Sequence, residues 1–279
     1  MHRDLVREEH VDQHRRAMMF HITGAALLFA LGGRLPVSWA AEVAQIAPND
    51  PRLRTERVEV DNHGGGLQSY SVRPASSTAP RGSVLVIHDI LGLTPHFENV
   101  ARRFAVEGFG VLAPDYASRY GGTPAERGPA IEVVGMATWP EMIADTQAAL
   151  AWLRAQEGAN GKIAAAGYGL GASALGRAVS QAPDLAAAVL LYGRVPPLDQ
   201  LEGVKAPLLL IYAGDDPAVD GDVPSYVDAL KKAGLIPEVV TFPGVQHGFD
   251  DETASTRYAP EAAGFAWTKT VEFIRPKIT

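Results

Sequence analysis

The sequence predicts an α/β protein built on a mostly parallel sheet with helices on both faces. Short, continuously apolar runs recur at 83–88, 110–113, 162–166, 186–192, 207–212 and 238–242. Segments with helical spacing separate most of them, at 97–107, 139–155, 170–181, 222–233 and 259–274. Strands that are apolar throughout, rather than at every second residue, belong to sheets buried on both sides, and a parallel sheet needs helical crossovers to cover those sides. The overall composition, 47% hydrophobic and 20% charged, is that of a globular chain and excludes full-length disorder.

Residues 1–16 are polar and end in Arg15-Arg16, and an apolar stretch from Ala17 to Leu31 follows. That stretch is shorter than the ~20 residues a spanning helix needs. Small residues at Ser38 and Ala40 flank Trp39 in the pattern a signal peptidase reads, with cleavage expected before Ala41. Residues 1–40 therefore read as a twin-arginine-like export signal leading to the periplasm, with no stable membrane anchor after cleavage. The alternative is an N-terminal helix on a cytoplasmic protein. Residues 41–55 read as a linker, and 56–279 as a single domain. It opens with an antiparallel hairpin, Arg57–Val60 and Leu67–Val72, turning through His63-Gly64-Gly65-Gly66. Residues 116–137, rich in glycine and proline, read as a loop or cap near the strand ends, where open α/β sheets keep their sites.

Twenty-five basic and 32 acidic residues give a net charge of -7 with no long basic run, which argues against a nucleic-acid partner. The absence of cysteine removes disulfides, thiolate zinc sites, iron–sulfur clusters and any cysteine nucleophile together. The eight histidines are scattered and suggest no metal site.

Three stretches carry candidate chemistry. Ile163 to Ser173 runs from a strand through Gly167-Tyr168-Gly169-Leu170-Gly171 into a helix. This is the frame of a nucleophile elbow, in which a tight strand-to-helix turn lifts one side chain above the sheet. The lifted position is Gly169, which has no side chain. Gly167-x-Gly169-x-x-Ala172 also fits a dinucleotide fingerprint, but the next strand ends Leu191-Tyr192-Gly193-Arg194 without the acid that fold needs for a ribose. Asp216 follows the apolar run 207–212 in Asp215-Asp216-Pro217, and His247 lies in Gln246-His247-Gly248 after the last run. Each alone reads as a turn residue. In the order elbow, acid, histidine they match the chain order of a hydrolase triad. Ser173, one helical turn beyond Gly169, is expected to point away from the turn.

From about residue 55 onward the chain resembles the dienelactone hydrolase family. The resemblance rests on Val86-Ile87-His88-Asp89-Ile90-Leu91-Gly92-Leu93, Ala113-Pro114-Asp115-Tyr116, Gly167-Tyr168-Gly169-Leu170-Gly171 and Pro243-Gly244-Val245-Gln246-His247-Gly248-Phe249. It implies an α/β-hydrolase fold, no cofactor, and cleavage of a small-molecule ester or lactone through a Cys-His-Asp triad. By that resemblance His247 is the general base and Asp216 its orienting acid. Ile90 and Leu170 give the backbone N–H groups of the oxyanion hole, and Asp89 stands where the family has a glutamate against the nucleophile. Asp89, Tyr116, Arg119, Tyr168 and Trp139 are expected around the substrate. The chain departs from the family twice: Gly169 replaces the cysteine, and Asp251 stands where an arginine would hold an anionic substrate.

Loss of a triad nucleophile costs roughly a millionfold in rate. Three readings follow. The chain is a hydrolase in which His247 activates water; it is a non-catalytic small-molecule-binding pseudoenzyme of the same fold; or Gly169 is a deliberate removal of a nucleophile, for which alanine or serine is the commoner choice.

Overall fold

The structure is a computed structural model that describes residues 44–62, 65–76 and 81–279. The expected export signal at 1–40, and His63 and Gly64 of the hairpin turn, lie outside the described residues. Eight strands form one sheet: β1 (Leu53–Asn62), β2 (Gly65–Pro74), β3 (Arg81–Ile87), β4 (Gly110–Pro114), β5 (Ala159–Tyr168), β6 (Ala187–Leu191), β7 (Leu208–Asp215) and β8 (Glu238–Gln246). Their order is β1-β2-β4-β3-β5-β6-β7-β8. β1 and β2 pair antiparallel in register from Leu53 opposite Pro74 to Asn62 opposite Gly65, which is the expected hairpin. β2 joins β4 antiparallel, and every later pairing is parallel. This is the α/β-hydrolase fold the sequence predicts.

The apolar runs feed two cores, one on each face of the sheet. In β3, Val84 and Val86 face one way, toward Phe97, Val100 and Phe104 of α1 (Pro95–Val106) and Phe273, Ile274 and Ile278 of the last helix. Leu85 and Ile87 face the other way, toward Met142, Leu150, Leu175, Tyr226 and Leu230. All four of these β3 side chains are fully buried, as a strand covered on both sides must be. The second core is roofed by α3 (Trp139–Arg154), α4 (Leu170–Ala178) and α5 (Val223–Lys232), and the first by α1 and α6 (Pro260–Ile278).

Local chemistry sets the helix starts. α1, α3, α5 and α6 each carry proline in the first two positions, where its missing N–H has no partner to lose. Thr138 and Glu141 close a capping box on α3, with Thr138 N donating to Glu141 Oε2 at 2.8 Å. The segment 116–137, expected as loop or cap, contains a helix, α2 (Arg127–Val134). Only Ala130 and Val134 of that helix are buried, so its sequence carries little apolar period. Residues 44–46, read as part of a linker, lie along α1. Ile46 N donates to Asn99 Oδ1 at 2.8 Å, and Arg102 Nε donates to the Ile46 carbonyl at 2.7 Å. Among the described residues no helix is long and apolar enough to cross a membrane.

The tightest packing lies where β5 turns into α4. A Cβ on Gly171 would stand 2.4 Å from the carbonyl oxygens of both Ile87 and His88, and one on Gly167 would stand 2.6 Å from the Gly171 carbonyl. Backbone there meets backbone, and neither side can yield. We expect Gly171→Ala to lower the free energy of urea unfolding by about 3 kcal/mol, the upper part of the ~1–3 kcal/mol typical of overpacking a closed core. An unchanged midpoint would show that the first turn of α4 can move off β3.

Candidate active site

The carboxyl ends of the parallel strands converge on Gly169. In parallel α/β sheets this edge collects ligands, because the strand ends leave a crevice there. Gly169 directly follows β5, Asp216 follows β7, His247 follows β8, and Asp89 lies two residues beyond β3. Gly169 adopts φ 51°, ψ -111°, a left-handed conformation that costs any side chain but suits glycine. Its N–H donates to the Leu191 carbonyl at 2.9 Å and its carbonyl caps the first turn of α4 through Ser173 N at 3.0 Å.

Asp216 and His247 form a hydrogen-bonded pair, with His247 Nδ1 and Asp216 Oδ2 2.6 Å apart. The carboxylate is buried, 4% exposed, while the imidazole is 40% exposed. A bond at Nδ1 to a buried carboxylate fixes the ring and leaves Nε2 as the free nitrogen. That nitrogen lies 3.4 Å from the point a Cβ on Gly169 would occupy. Asp89 Cβ lies 3.2 Å and Tyr192 Cε2 3.6 Å from the same point, so a histidine, an acid and a tyrosine ring enclose the space above the glycine.

Asp89 is buried, and Oδ1 accepts the Leu91 N–H at 2.7 Å. Burial raises its carboxyl above the usual range, against the opposing effect of that hydrogen bond. His88 braces the same turn. Its Nδ1 lies 2.7 Å from the Asp89 carbonyl, and its Nε2 accepts the Tyr116 N–H at 3.1 Å. Ile90 lies in this turn, and the contact of Gly171 with Ile87 and His88 brings the turn against the start of α4. Leu170, the first helical residue, has a backbone N–H with no intrahelical partner. Ser173 stays at the turn and not away from it: its Oγ donates to the Gly169 carbonyl at 3.0 Å and accepts the Arg194 N–H at 2.9 Å, which commits it to holding the backbone.

Of the other residues singled out from the sequence, Tyr116, Arg119 and Trp139 are engaged away from Gly169, while Tyr168 lies edge-on to Tyr192, at 6.4 Å between ring centroids. Tyr116 is buried with its hydroxyl 2.6 Å from Thr146 Oγ1. Arg119 donates to Asp145 at 2.5 Å and faces a small cleft lined by Asn62, Gly65, Leu67 and Ser118. Tyr168 is buried edge-on to Phe97, at 5.3 Å between ring centroids. Trp139 begins α3 with the Arg177 guanidinium 4.0 Å above its ring.

With the geometry in place, the comparison with known proteins is decisive. The sequence profile of the dienelactone hydrolase family matches residues 67–278. The chain belongs to the dienelactone hydrolase family. A Saccharolobus solfataricus protein named "Putative carboxymethylenebutenolidase" is 28% identical over 255 residues, covering 77% of this chain and 96% of its own. A dienelactone-hydrolase-like promiscuous phosphotriesterase from metagenomic libraries superposes with a TM-score of 0.72 at 22% identity, covering 82% of this chain and 100% of its own. The dienelactone hydrolase from Anabaena variabilis superposes at 0.63 and 21% identity, with the same coverages. These two structures share the fold.

Several residues at this edge were not singled out from the sequence. Tyr192, directly after β6, has φ 40°, the one described non-glycine residue in the left-handed region. The bend stands its ring edge-on to His247, with centroids 4.9 Å apart, and its hydroxyl donates to Asp250 Oδ1 at 2.5 Å. Behind Asp250 lies His96 of α1, 3% exposed. His96 Nε2 is 3.7 Å from Asp250 Oδ2, and Nδ1 is 2.6 Å from Glu252 Oε2 and 3.8 Å from Asp251 Oδ1. The carbon-end rule, applied to β6 as to the other strands, would have pointed to Tyr192; nothing in the sequence pairs residue 96 with residues 250–252.

His96, Asp251 and Glu252 present three potential ligand atoms within 4.8 Å of one another, the kind of set a metal ion can use. The 2.6 Å approach of Nδ1 to Glu252 is instead a hydrogen-bond distance, since an ion bonded at ~2.0–2.2 Å to both atoms spreads them further apart. The two acids of that set also have partners of their own: Arg257 lies 3.8 Å from Asp251, and Gln45 donates to Glu252 at 2.6 Å. Burial alone would push the His96 imidazole down, but Asp250 and Glu252 outweigh it and hold the ring protonated, its pKa raised to about 10. Glu252 is pushed up by burial and pulled further down by His96 and Gln45, to about 2.

These shifts set a pH window for stability. A raised histidine pKa stabilises the fold fully below its unfolded value of 6.5 and loses that contribution as pH rises to about 10. A lowered glutamate pKa stabilises fully above 4.5 and loses it as pH falls toward 2. We expect the gap in urea midpoint between the native chain and His96→Gln to be widest between those two unfolded values and to narrow steadily toward pH about 10. A gap independent of pH would show that His96 is held by packing and not by charge.

Proposed function

We propose that this chain is a slow ester or lactone hydrolase in which His247 activates a water molecule in the space above Gly169. The observation that supports the reading is the position of His247 Nε2, 3.4 Å from the point where a nucleophile's Cβ would sit, with Nδ1 tied to the buried Asp216. In this reaction the water oxygen bonds to the substrate carbonyl carbon and its proton passes to Nε2. The carbonyl oxygen gains the negative charge, and the N–H groups of Ile90 and Leu170 stabilise it. The intermediate then expels the alkoxide, which takes the proton back from His247, leaving an acid and an alcohol. The reaction needs no cofactor or metal.

General base catalysis is worth ~10²–10⁴ in rate, and each oxyanion donor ~10²–10³. A chain without a covalent nucleophile therefore retains enough for activated esters and little for amides. Neutral substrates fit better than anionic ones. Asp251, at the position of a family arginine, is drawn toward Arg257 and His96, and Arg119 is committed to Asp145. If the N-terminal segment acts as an export signal, the activity belongs in the periplasm.

The competing reading, a small-molecule-binding protein without turnover, is favoured by the missing side chain at Gly169 alone. Initial rates on p-nitrophenyl acetate separate the two. We expect hydrolysis at least about a hundredfold above buffer, and a loss of about 10²-fold or more in His247→Ala. Gly169→Cys restores a nucleophile next to Nε2 and is expected to exceed the native rate. A native rate equal to buffer, or a His247→Ala rate equal to native, would leave the binding protein.

A further inference from the structure

Three buried groups link the hydrolytic edge to the opposite side of α1. Tyr192 is one wall of the space above Gly169, and its ring packs on the His247 imidazole. Asp250, three residues beyond His247 on the same loop, accepts the Tyr192 hydroxyl. His96 faces the other oxygen of Asp250 and is itself bonded to Glu252 of that loop. A second aromatic contact, Tyr192 against Phe249 at 5.6 Å, ties the same ring to the same loop.

We propose that His96 and Asp250 are positioning residues, which hold Tyr192 and with it the His247 loop in the geometry that aims Nε2 at position 169. Three features of the arrangement argue for this role over a purely structural one. Tyr192 is kept in a left-handed backbone conformation that strains a residue with a side chain, and its hydroxyl bond to a buried carboxylate works against that strain. His96 Nε2 is buried without a hydrogen-bond partner and directed at Asp250 from ion-pair distance, so it acts on that carboxylate through charge. The groups facing His96 are Asp250, Asp251 and Glu252 from the loop after β8 and Asp89 from the turn after β3. The cation therefore sits between the two segments that border Gly169. Without it, Arg257 would still offset Asp251 and Arg103 would act on Asp250 and Glu252 at longer range, but the charge between the two segments would be gone and the loop carrying His247 would relax outward.

The role of His247 rests on the proposed function, but its placement can be read without any turnover. The chain contains no cysteine, so Gly169→Cys introduces a single thiol at the point His247 addresses. A thiol paired with an imidazole loses its proton well below the usual ~8.5. The pH profile of iodoacetamide alkylation of Gly169→Cys therefore reports how closely Nε2 is held to position 169. We expect a depressed apparent thiol pKa in Gly169→Cys. Adding Tyr192→Phe, which keeps the ring and removes the hydroxyl, should raise it by about one unit and slow alkylation near pH 6 about tenfold. Adding His96→Gln should do the same, and the two together should do no more than the larger alone, since they act along one chain of contacts.

A merely structural role would lower the melting temperature and leave the profile in place. An unmoved profile in folded Tyr192→Phe overturns the proposal, and so do effects of Tyr192→Phe and His96→Gln that multiply. If His96→Gln does not fold, Asp250→Asn takes its place in the same comparison. An ordinary thiol pKa in Gly169→Cys itself would overturn both this inference and the assignment of His247. A depressed one that neither variant moves would overturn this inference alone.

Discussion

The site depends on one backbone contact: the first turn of α4 lies directly on the end of β3, with Gly171 against the carbonyls of Ile87 and His88. That contact leaves no room for a methyl group, and it fixes the angle at which β5 gives way to α4. Gly193 tightens the arrangement from the other side, since a Cβ there would stand 2.5 Å from that of Ala172. With α4 seated in this way, the helix start at Leu170 and the turn carrying Asp89 and Ile90 are neighbours by construction. Neither element could be shifted to improve the site without opening the core beneath it, because interiors packed at crystal density yield by steps and not by degrees.

Electrostatics adds a second layer on the same scaffold. The strand ends carry acids at Asp89, Asp115, Asp216, Asp250 and Asp251, all largely buried. Each has a different answer to the cost of burying a charge. Asp115 is knotted by Thr123 and Ala117, Asp216 by His247, Asp251 by Thr253, and Asp250 by Tyr192 and His96. Asp89 has the Leu91 N–H and a position facing the open space, and burial raises its pKa. Of the five, Asp216 and Asp250 hold His247 and Tyr192 in turn, and Asp89 borders the space above Gly169.

Much of this was legible in the sequence, and the reasons are local. The strands β3 to β7 announce themselves because burial on both faces leaves no alternation to dilute the apolar run. The elbow is visible because close backbone approach demands glycine at fixed spacing, and Asp216 and His247 because each follows a strand in the order the fold requires. The helix α2 was hidden because it buries two side chains and is otherwise exposed. The family resemblance puts Tyr116, Arg119, Tyr168 and Trp139 around the substrate. The structure turns their side chains toward Thr146, Asp145, Phe97 and Arg177, and that direction depends on partners 26 to 71 residues away, which no short motif encodes. The His96 network illustrates the same limit: His96 meets Glu252 across 156 residues of chain, and Tyr192 meets Asp250 across 58.

Gly169 has one more consequence, for chemical durability. A thiolate poised for attack is also poised for damage, since peroxide converts it through sulfenic to sulfinic acid and electrophiles cap it for good. A hydrogen atom at the elbow gives neither reagent anything to bond to, and there is no other thiol in the chain to serve as a decoy or a liability. On the proposed water mechanism no acyl-enzyme forms at position 169, so a substrate would have no side chain there to acylate. A glycine at the elbow gives up the rate a covalent nucleophile supplies and leaves that position inert to oxidants and to acylating reagents alike.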